Sequence, residues 1–226
     1  MSDFRIYGES APDLVPDSEG SPKLLREPRR LAASAGAAWI GQAWGLFTRR
    51  WGLWVGMSFV MLLITTVVSM LPLVGFLSNF LTLFFAGGMM LAAAALAEND
   101  DLEFVYLFGG FQHKFKELLI LTLLYFLVLL LVVFVFVVVM YLTGTNISDW
   151  DSEQPSVAAM AMYGWIILAG FAALVPVSMM MWFATVLTVL DDVAPWQAMK
   201  MSFQGCVRNI LPFIVYGLVW LGLSLV

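Results

Sequence analysis

The sequence predicts an all-α polytopic membrane protein, a bundle of five spans arranged in hairpins. Three observations predict it. The chain of 226 residues is 62% hydrophobic and 12% charged, with a mean hydropathy of +0.90. A soluble domain is about half apolar and about a quarter charged. Residues 51–97, 118–148 and 154–190 contain no Asp, Glu, Lys or Arg, and a membrane helix needs about 20 apolar residues. The runs are continuous, whereas the strands of a membrane β-barrel alternate over about 10 residues.

Residues 1–35 read as a disordered tail. They are polar and rich in Pro, Ser and Gly, with acids first (Asp3, Glu9, Asp13, Asp17, Glu19) and bases after (Lys23, Arg26, Arg29, Arg30). Such a segment buries too little apolar surface to fold alone. No positive n-region leads directly into an apolar core, so it is not a signal peptide. Residues 36–226 form a single transmembrane domain.

A first amphipathic segment, 36–50, carries Trp39, Trp44 and Phe47 and ends on Arg49 and Arg50. Tryptophan suits the membrane interface, with an apolar body and a wet N–H. The uncharged run after it holds two spans, about 51–70 and 77–97, with a turn at Pro72 and Gly75. Gly88, Ala92 and Ala95 place small residues on one face of the second span, where another helix can approach closely. Asp100 and Glu103 have capping-box spacing, so a new helix is expected there. A second amphipathic segment then carries Phe104, Phe108, Phe111, His113 and Lys114, and Gly109–Gly110 in its middle marks a hinge. The third span, 118–142, measures about 37 Å as a helix and crosses with some tilt.

The loop 143–158 holds Asp149, Asp151 and Glu153 and a formal glycosylation sequon at Asn146. It lacks the glycine and terminal glutamate of a calcium loop and reads as solvated. The fourth span, 160–189, should kink at Pro176, which removes a backbone bond. The third amphipathic segment follows. Met199, Phe203 and Cys206 share one face, and Gln197, Lys200, Gln204 and Arg208 share the other. Trp196 opens this segment, and the fifth span, 210–226, follows it.

Charge sets the orientation. With the N-terminus inside, segments 1–50, 98–117 and 191–209 hold all 11 basic residues, and the turns between them hold none. The three amphipathic segments align on Ile40, Trp44, Phe47; Phe104, Phe108, Phe111; and Met199, Phe203, Cys206. Basic or polar elbows follow at the same offset: Arg49–Arg50, His113–Lys114 and Arg208–Asn209. Trp51, Phe115 and Ile210 then open the outward spans. Each outward span is thus preceded by an interfacial helix with its apolar face in lipid and its bases against anionic headgroups. The set is a pseudo-threefold repeat whose last unit lacks a return span.

The chain resembles a family of uncharacterised proteobacterial inner-membrane proteins. The likeness rests on Pro195-Trp196-Gln197-Ala198, Ser202-Phe203, Arg208-Asn209, Leu211-Pro212-Phe213 and Tyr216-Gly217. The LFGGF–basic stretch at 107–116 and Trp182-Phe183-Ala184 add to it. It covers about residues 36–226. The resemblance implies six membrane helices with short cytoplasmic elbows in the bacterial inner membrane, and no established activity. This chain departs from it by lacking the sixth span, by its N-terminal extension and by Ala194 before Pro195.

Three functions fit. A non-enzymatic scaffold or accessory component is favoured by spans free of ionisable residues, because charge within a membrane marks ion or proton pathways. A transporter or channel would use three hairpins around a cavity, with Asn79, Thr65, Thr66 and Ser178 along a polar path. A lipid-acting enzyme would bring Glu98, Asp100, Asp101, Asp191 and Asp192 together around a divalent cation, although capping explains those acids more simply. The single Cys206 excludes an intrachain disulfide. The sequence names no catalytic residue, metal site or cofactor. The partners it points to are membrane lipids and their anionic headgroups at the inner face, not nucleic acid.

Overall fold

A computed structural model describes residues 14–16, 22–25, 28–71, 75, 77–98, 101–142 and 157–225. The tail is not featureless. Leu14–Pro16 (β1) pairs antiparallel with Pro22–Leu25 (β2), setting Leu14 opposite Leu25 and Val15 opposite Leu24. Two short runs in a polar tail can satisfy backbone groups by pairing with each other.

The rest of the described chain is helical or connecting. Helix α1 (Ala35–Arg49) leads into α2 (Trp51–Ser69), and α3 is Leu77–Ala97. A 3₁₀ helix, Phe104–Phe108, runs into the one-turn α4 (Gly109–His113). Helices α5 (Phe115–Leu142), α6 (Val157–Trp182) and α7 (Ala184–Leu190) follow. Helices α8 (Pro195–Arg208) and α9 (Ile210–Ser224) close the described chain. Pro195 stands in the first turn of α8, where its missing N–H costs nothing.

Four helical stretches are long and apolar enough to cross a membrane: Trp51–Ser69, Ser78–Ala97, Phe115–Leu142 and Tyr163–Leu190. The pair α8 and α9, bent by 79°, makes a fifth candidate only if taken together. Helix α9 alone has 15 residues, which gives about 22 Å against a hydrocarbon core of about 30 Å.

The second amphipathic segment is not one helix hinged at its glycines. It is a 3₁₀ helix that becomes α-helical at Gly109, and the glycines allow close packing. A Cβ on Gly110 would lie 2.2 Å from the Phe84 carbonyl oxygen. In the fourth span, helix α6 runs on through Pro176, and an interruption not expected from the sequence falls later, at Phe183. Pro72, Asp100 and the acidic loop with its sequon lie outside the described residues.

Burial is sharply one-sided. In α2 the buried residue is Met57, in its second turn. In α5 the buried residues are Leu118, Leu121 and Thr122, all near its start, and in α9 it is Pro212. In α6, Val177 is buried near the end. The opposite ends are bare: Phe134, Tyr141, Leu142 and Phe171 are all exposed. Helix α3 is the hub. Phe84 packs with Leu118, Leu121, Ala184, Val189, Ala198 and Met199. Phe85 and Ala92 pack with Met57, Leu96, Leu102 and Leu107. The core is therefore a layer at the elbow end of the apolar helices.

Candidate functional site

The helix breaks that organise this layer fall at single residues. Arg50 separates α1 from α2 with φ −142° and ψ 46°. Lys114 follows α4 with φ −130° and ψ 27°. Asn209 separates α8 from α9 with φ −123° and ψ 33°. All three lie outside the α-helical basin, so each turns the chain while helices continue on both sides.

Each break residue also reaches a remote stretch of chain. The Arg50 guanidinium bonds the Asp101 carboxylate at 2.6 Å, just before the 3₁₀ helix. The Lys114 ammonium pairs with Asp192, just before α8. The Asn209 amide donates to the Arg29 carbonyl oxygen at 2.9 Å, and its oxygen accepts from the Leu31 N–H at 2.8 Å. Asn209 also donates to the Gly205 carbonyl oxygen, and Arg208 donates to the Pro28 carbonyl oxygen at 2.9 Å. That stretch lies just before α1. The links thus run in cyclic order, from the first break to the second segment, the second to the third, and the third back to the first.

Packing follows the same order. The start of α1 lies against α9: a Cβ on Gly36 would sit 2.0 Å from the Pro212 carbonyl oxygen, and the rings of Trp39 and Phe213 are 5.5 Å apart. The 3₁₀ helix and α4 lie against α3. A Cβ on Gly88 would sit 2.3 Å from the Leu107 carbonyl oxygen, and Phe84 stacks on Phe111 at 4.8 Å. Helix α8 lies against the end of α6. There the Ser202 hydroxyl accepts from the Phe183 N–H at 2.9 Å and donates to the Met179 carbonyl oxygen at 2.7 Å. A helix would join that N–H to that carbonyl directly. The hydroxyl inserted between them explains why the helix breaks at Phe183 and not at Pro176.

This corrects the expectation that the apolar faces of the amphipathic segments lie in lipid. In α8 the buried face is Ala198, Met199, Ser202 and Cys206, with Phe203 at its exposed edge. Leu107, Gly109 and Gly110 are buried in the second segment. Helix α1 is the exception, since Gly36 is its buried residue and Trp44 is exposed.

The remaining singled-out residues are distributed over the layer. Arg49 donates to the Leu96 carbonyl oxygen at 3.3 Å and lines an open groove of about 400 Å³ with Gln42, Gly45, Leu46 and Ala97. Trp44 and Phe47 have rings 5.6 Å apart. Phe108 packs edge-on to Phe85. Phe104 and His113 are exposed. Lys200 sits over the Trp196 ring at 5.2 Å, a cation–π pair. Ala92 is fully buried and Ala95 half-buried, so the small-residue face of α3 meets the 3₁₀ helix and Met57.

Among the described residues the acids do not converge on a metal site, and no group of three His, Cys, Asp or Glu could hold a metal ion. Asp101 and Asp192 pair with cations instead. Asp192 has φ 54°, the left-handed cap after α7, and the Val193 N–H returns to the Leu187 carbonyl oxygen at 3.1 Å. That position favours glycine or asparagine, and the link to Lys114 gives aspartate a reason to stand there. Burial pushes the Cys206 thiol from 9.0 up to about 11, against an opposing hydrogen bond from Ser202. The thiol is neutral at physiological pH.

Sequence reasoning missed Ser202 and Asn209 as anchoring residues. The signal for Asn209 was its position where the other two segments carry Lys114 and Arg50. For Ser202 no local signal exists, because its partners lie on another helix.

No family model matches the chain, and no solved structure matches it. A probable inner membrane protein of Burkholderia thailandensis is 31% identical over 205 residues, which cover 86% of this chain and 75% of that protein. Together with the apolar helices described above, this likeness establishes that the chain belongs to the family of proteobacterial inner-membrane proteins that includes the Burkholderia protein.

Proposed function

We propose that this protein is a non-enzymatic scaffold or accessory component of the inner membrane. Its working part is the interlocked elbow layer, lying at the cytoplasmic face with the N-terminus inside. The observation that carries this reading is the filling of the layer. Phe85, Met57, Leu107, Leu118, Leu121 and Met199 are fully buried around α3, where a solute path between the elbows would have to run. The apolar helices leave this layer with their far ends bare to lipid, so they anchor it.

In this reading the second and third units correspond residue by residue. In the register that pairs Phe111 with Cys206, Leu107 pairs with Ser202 and Gly88 with Phe183. Gly88 meets Leu107, and Phe183 meets Ser202. Phe84 meets Phe111, and its counterpart Met179 accepts from Cys206 at 3.5 Å. The basic residues Arg49, Arg50, Lys114, Lys116, Lys200 and Arg208 all lie in or beside the layer, which supports a cytoplasmic placement. Only α9 enters the membrane without a return helix among the described residues.

Reconstitution tests the reading. Purified protein in proteoliposomes should show no flux above empty vesicles across a panel of ions and small amphiphiles. Saturable flux by the folded protein, absent from empty vesicles, would establish a transporter instead.

A further inference from the structure

We propose that the strap 28–31, clamped by Asn209, forms a binding site for the phosphate headgroup of an anionic phospholipid. The proposal deepens the scaffold reading by naming a ligand for its layer. It starts from a difference among the three links. At the first two, a cation meets a carboxylate, Arg50 with Asp101 and Lys114 with Asp192, and the charge is neutralised. At the third, the bond is from a side-chain amide to backbone. The guanidiniums of Arg29 and Arg30 are left exposed, and neither forms an ion pair among the described residues.

The clamp orders these two residues. Asn209 is 8% exposed, and it grips the backbone on both sides of Arg30, at the Arg29 carbonyl and the Leu31 N–H. Arg208 holds Pro28. Two arginines neighbouring in sequence on a fixed backbone suit a phosphate, which accepts paired hydrogen bonds from a guanidinium fork. The next residues in sequence, after the strap and after Asn209, are apolar and bare. Leu31, Ile210 and Leu211 are 41%, 46% and 66% exposed. A lipid supplies what both surfaces lack, a phosphate for the arginines and an acyl chain for the start of α9. Free inorganic phosphate supplies only the first.

The test is lipid retention. Full-length protein is extracted in mild detergent from membranes containing phosphatidylglycerol and phosphatidylethanolamine, and the phospholipid bound per protein is measured by mass spectrometry. Arg29→Gln with Arg30→Gln should lower retained phosphatidylglycerol by at least about five-fold, the scale of one basic residue at a lipid surface. Arg29→Lys with Arg30→Lys, which keeps the charge and loses the fork, should lower it by at least about two-fold. Asn209→Ala keeps both arginines and should lower it as much as the double Gln variant does. Lys200→Gln, elsewhere in the layer, should leave it unchanged. Wild-type retention by a folded Asn209→Ala protein, or equal losses from Lys200→Gln and the double Gln variant, would overturn the proposal. A parallel loss of phosphatidylethanolamine would also overturn it. The double variants alter exposed side chains, so they report even if Asn209→Ala does not fold. The measurement reads lipid and not flux, so its failure leaves the scaffold reading standing.

Discussion

Three buried polar side chains of the layer differ in what they contribute. Asn209 satisfies three backbone groups at once. Truncation to alanine strands buried partners, at a cost of about 1–3 kcal/mol for the group left unpaired. The expected result is a lower unfolding temperature in detergent and new trypsin cleavage at Arg29 and Arg30, read by mass spectrometry. Thr188 is the opposite case. Its hydroxyl is buried with no partner, so Thr188→Val should leave stability unchanged or raise it by up to about 1 kcal/mol. Cys206 gives a chemical readout. Its thiol is buried and its pKa is raised to about 11, so a maleimide should label it poorly in the folded protein at pH 8 and fully after denaturation. The raised value also fixes a sign. The folded state holds the thiol proton more tightly, so this contribution is complete below pH 9 and lost as pH rises through about 11.

At the scale of elements, glycines in contact separate from glycines in the open. Gly36, Gly88 and Gly110 each stand where a Cβ would meet a carbonyl oxygen at 2.0–2.3 Å, and backbone cannot move aside as a side chain can. Alanine at any of the three should destabilise by about 1–3 kcal/mol or prevent folding. Gly41 and Gly45, in the same α1 as Gly36, have nothing within 4 Å of a Cβ. Alanine there should stabilise the helix by up to about 1 kcal/mol. Thermal unfolding of Gly36→Ala beside Gly41→Ala should therefore shift in opposite directions. The contrast also marks what was legible in the sequence. The helices themselves were, because uncharged runs bounded by basic and aromatic residues are a local signal. The break positions at Arg50, Lys114 and Asn209 followed from aligning those signals. What the amphipathic faces pack against was not legible. Their partners are set by contacts across distant parts of the chain, as Asn209 with Arg29 shows, and composition cannot tell an apolar face in lipid from one on protein. The break at Phe183 was not legible for a related reason. A proline removes one donor, and a membrane helix can run on through it. At Phe183 a hydroxyl from α8 competes for both the donor and the acceptor.

For the whole molecule, the consequence is a protein built at one end. Its apolar helices share a core only where they meet the elbows, and the three links close that core into a ring. The Arg50–Asp101 pair is exposed on both sides, at 52% and 83%, so it contributes little, about 0–1 kcal/mol; in the other pair Lys114 is 19% exposed and Asp192 77%. They act chiefly to fix which segments meet. Closure depends most on the buried clamp at Asn209. Hydrogen exchange read by mass spectrometry tests this ring most directly, on the unaltered chain and on Asn209→Ala. In the unaltered chain the Leu31 amide, held by the Asn209 side-chain oxygen, should exchange slowly, and in the variant it should exchange freely. Free exchange at Leu31 in the folded, unaltered protein would contradict a closed ring.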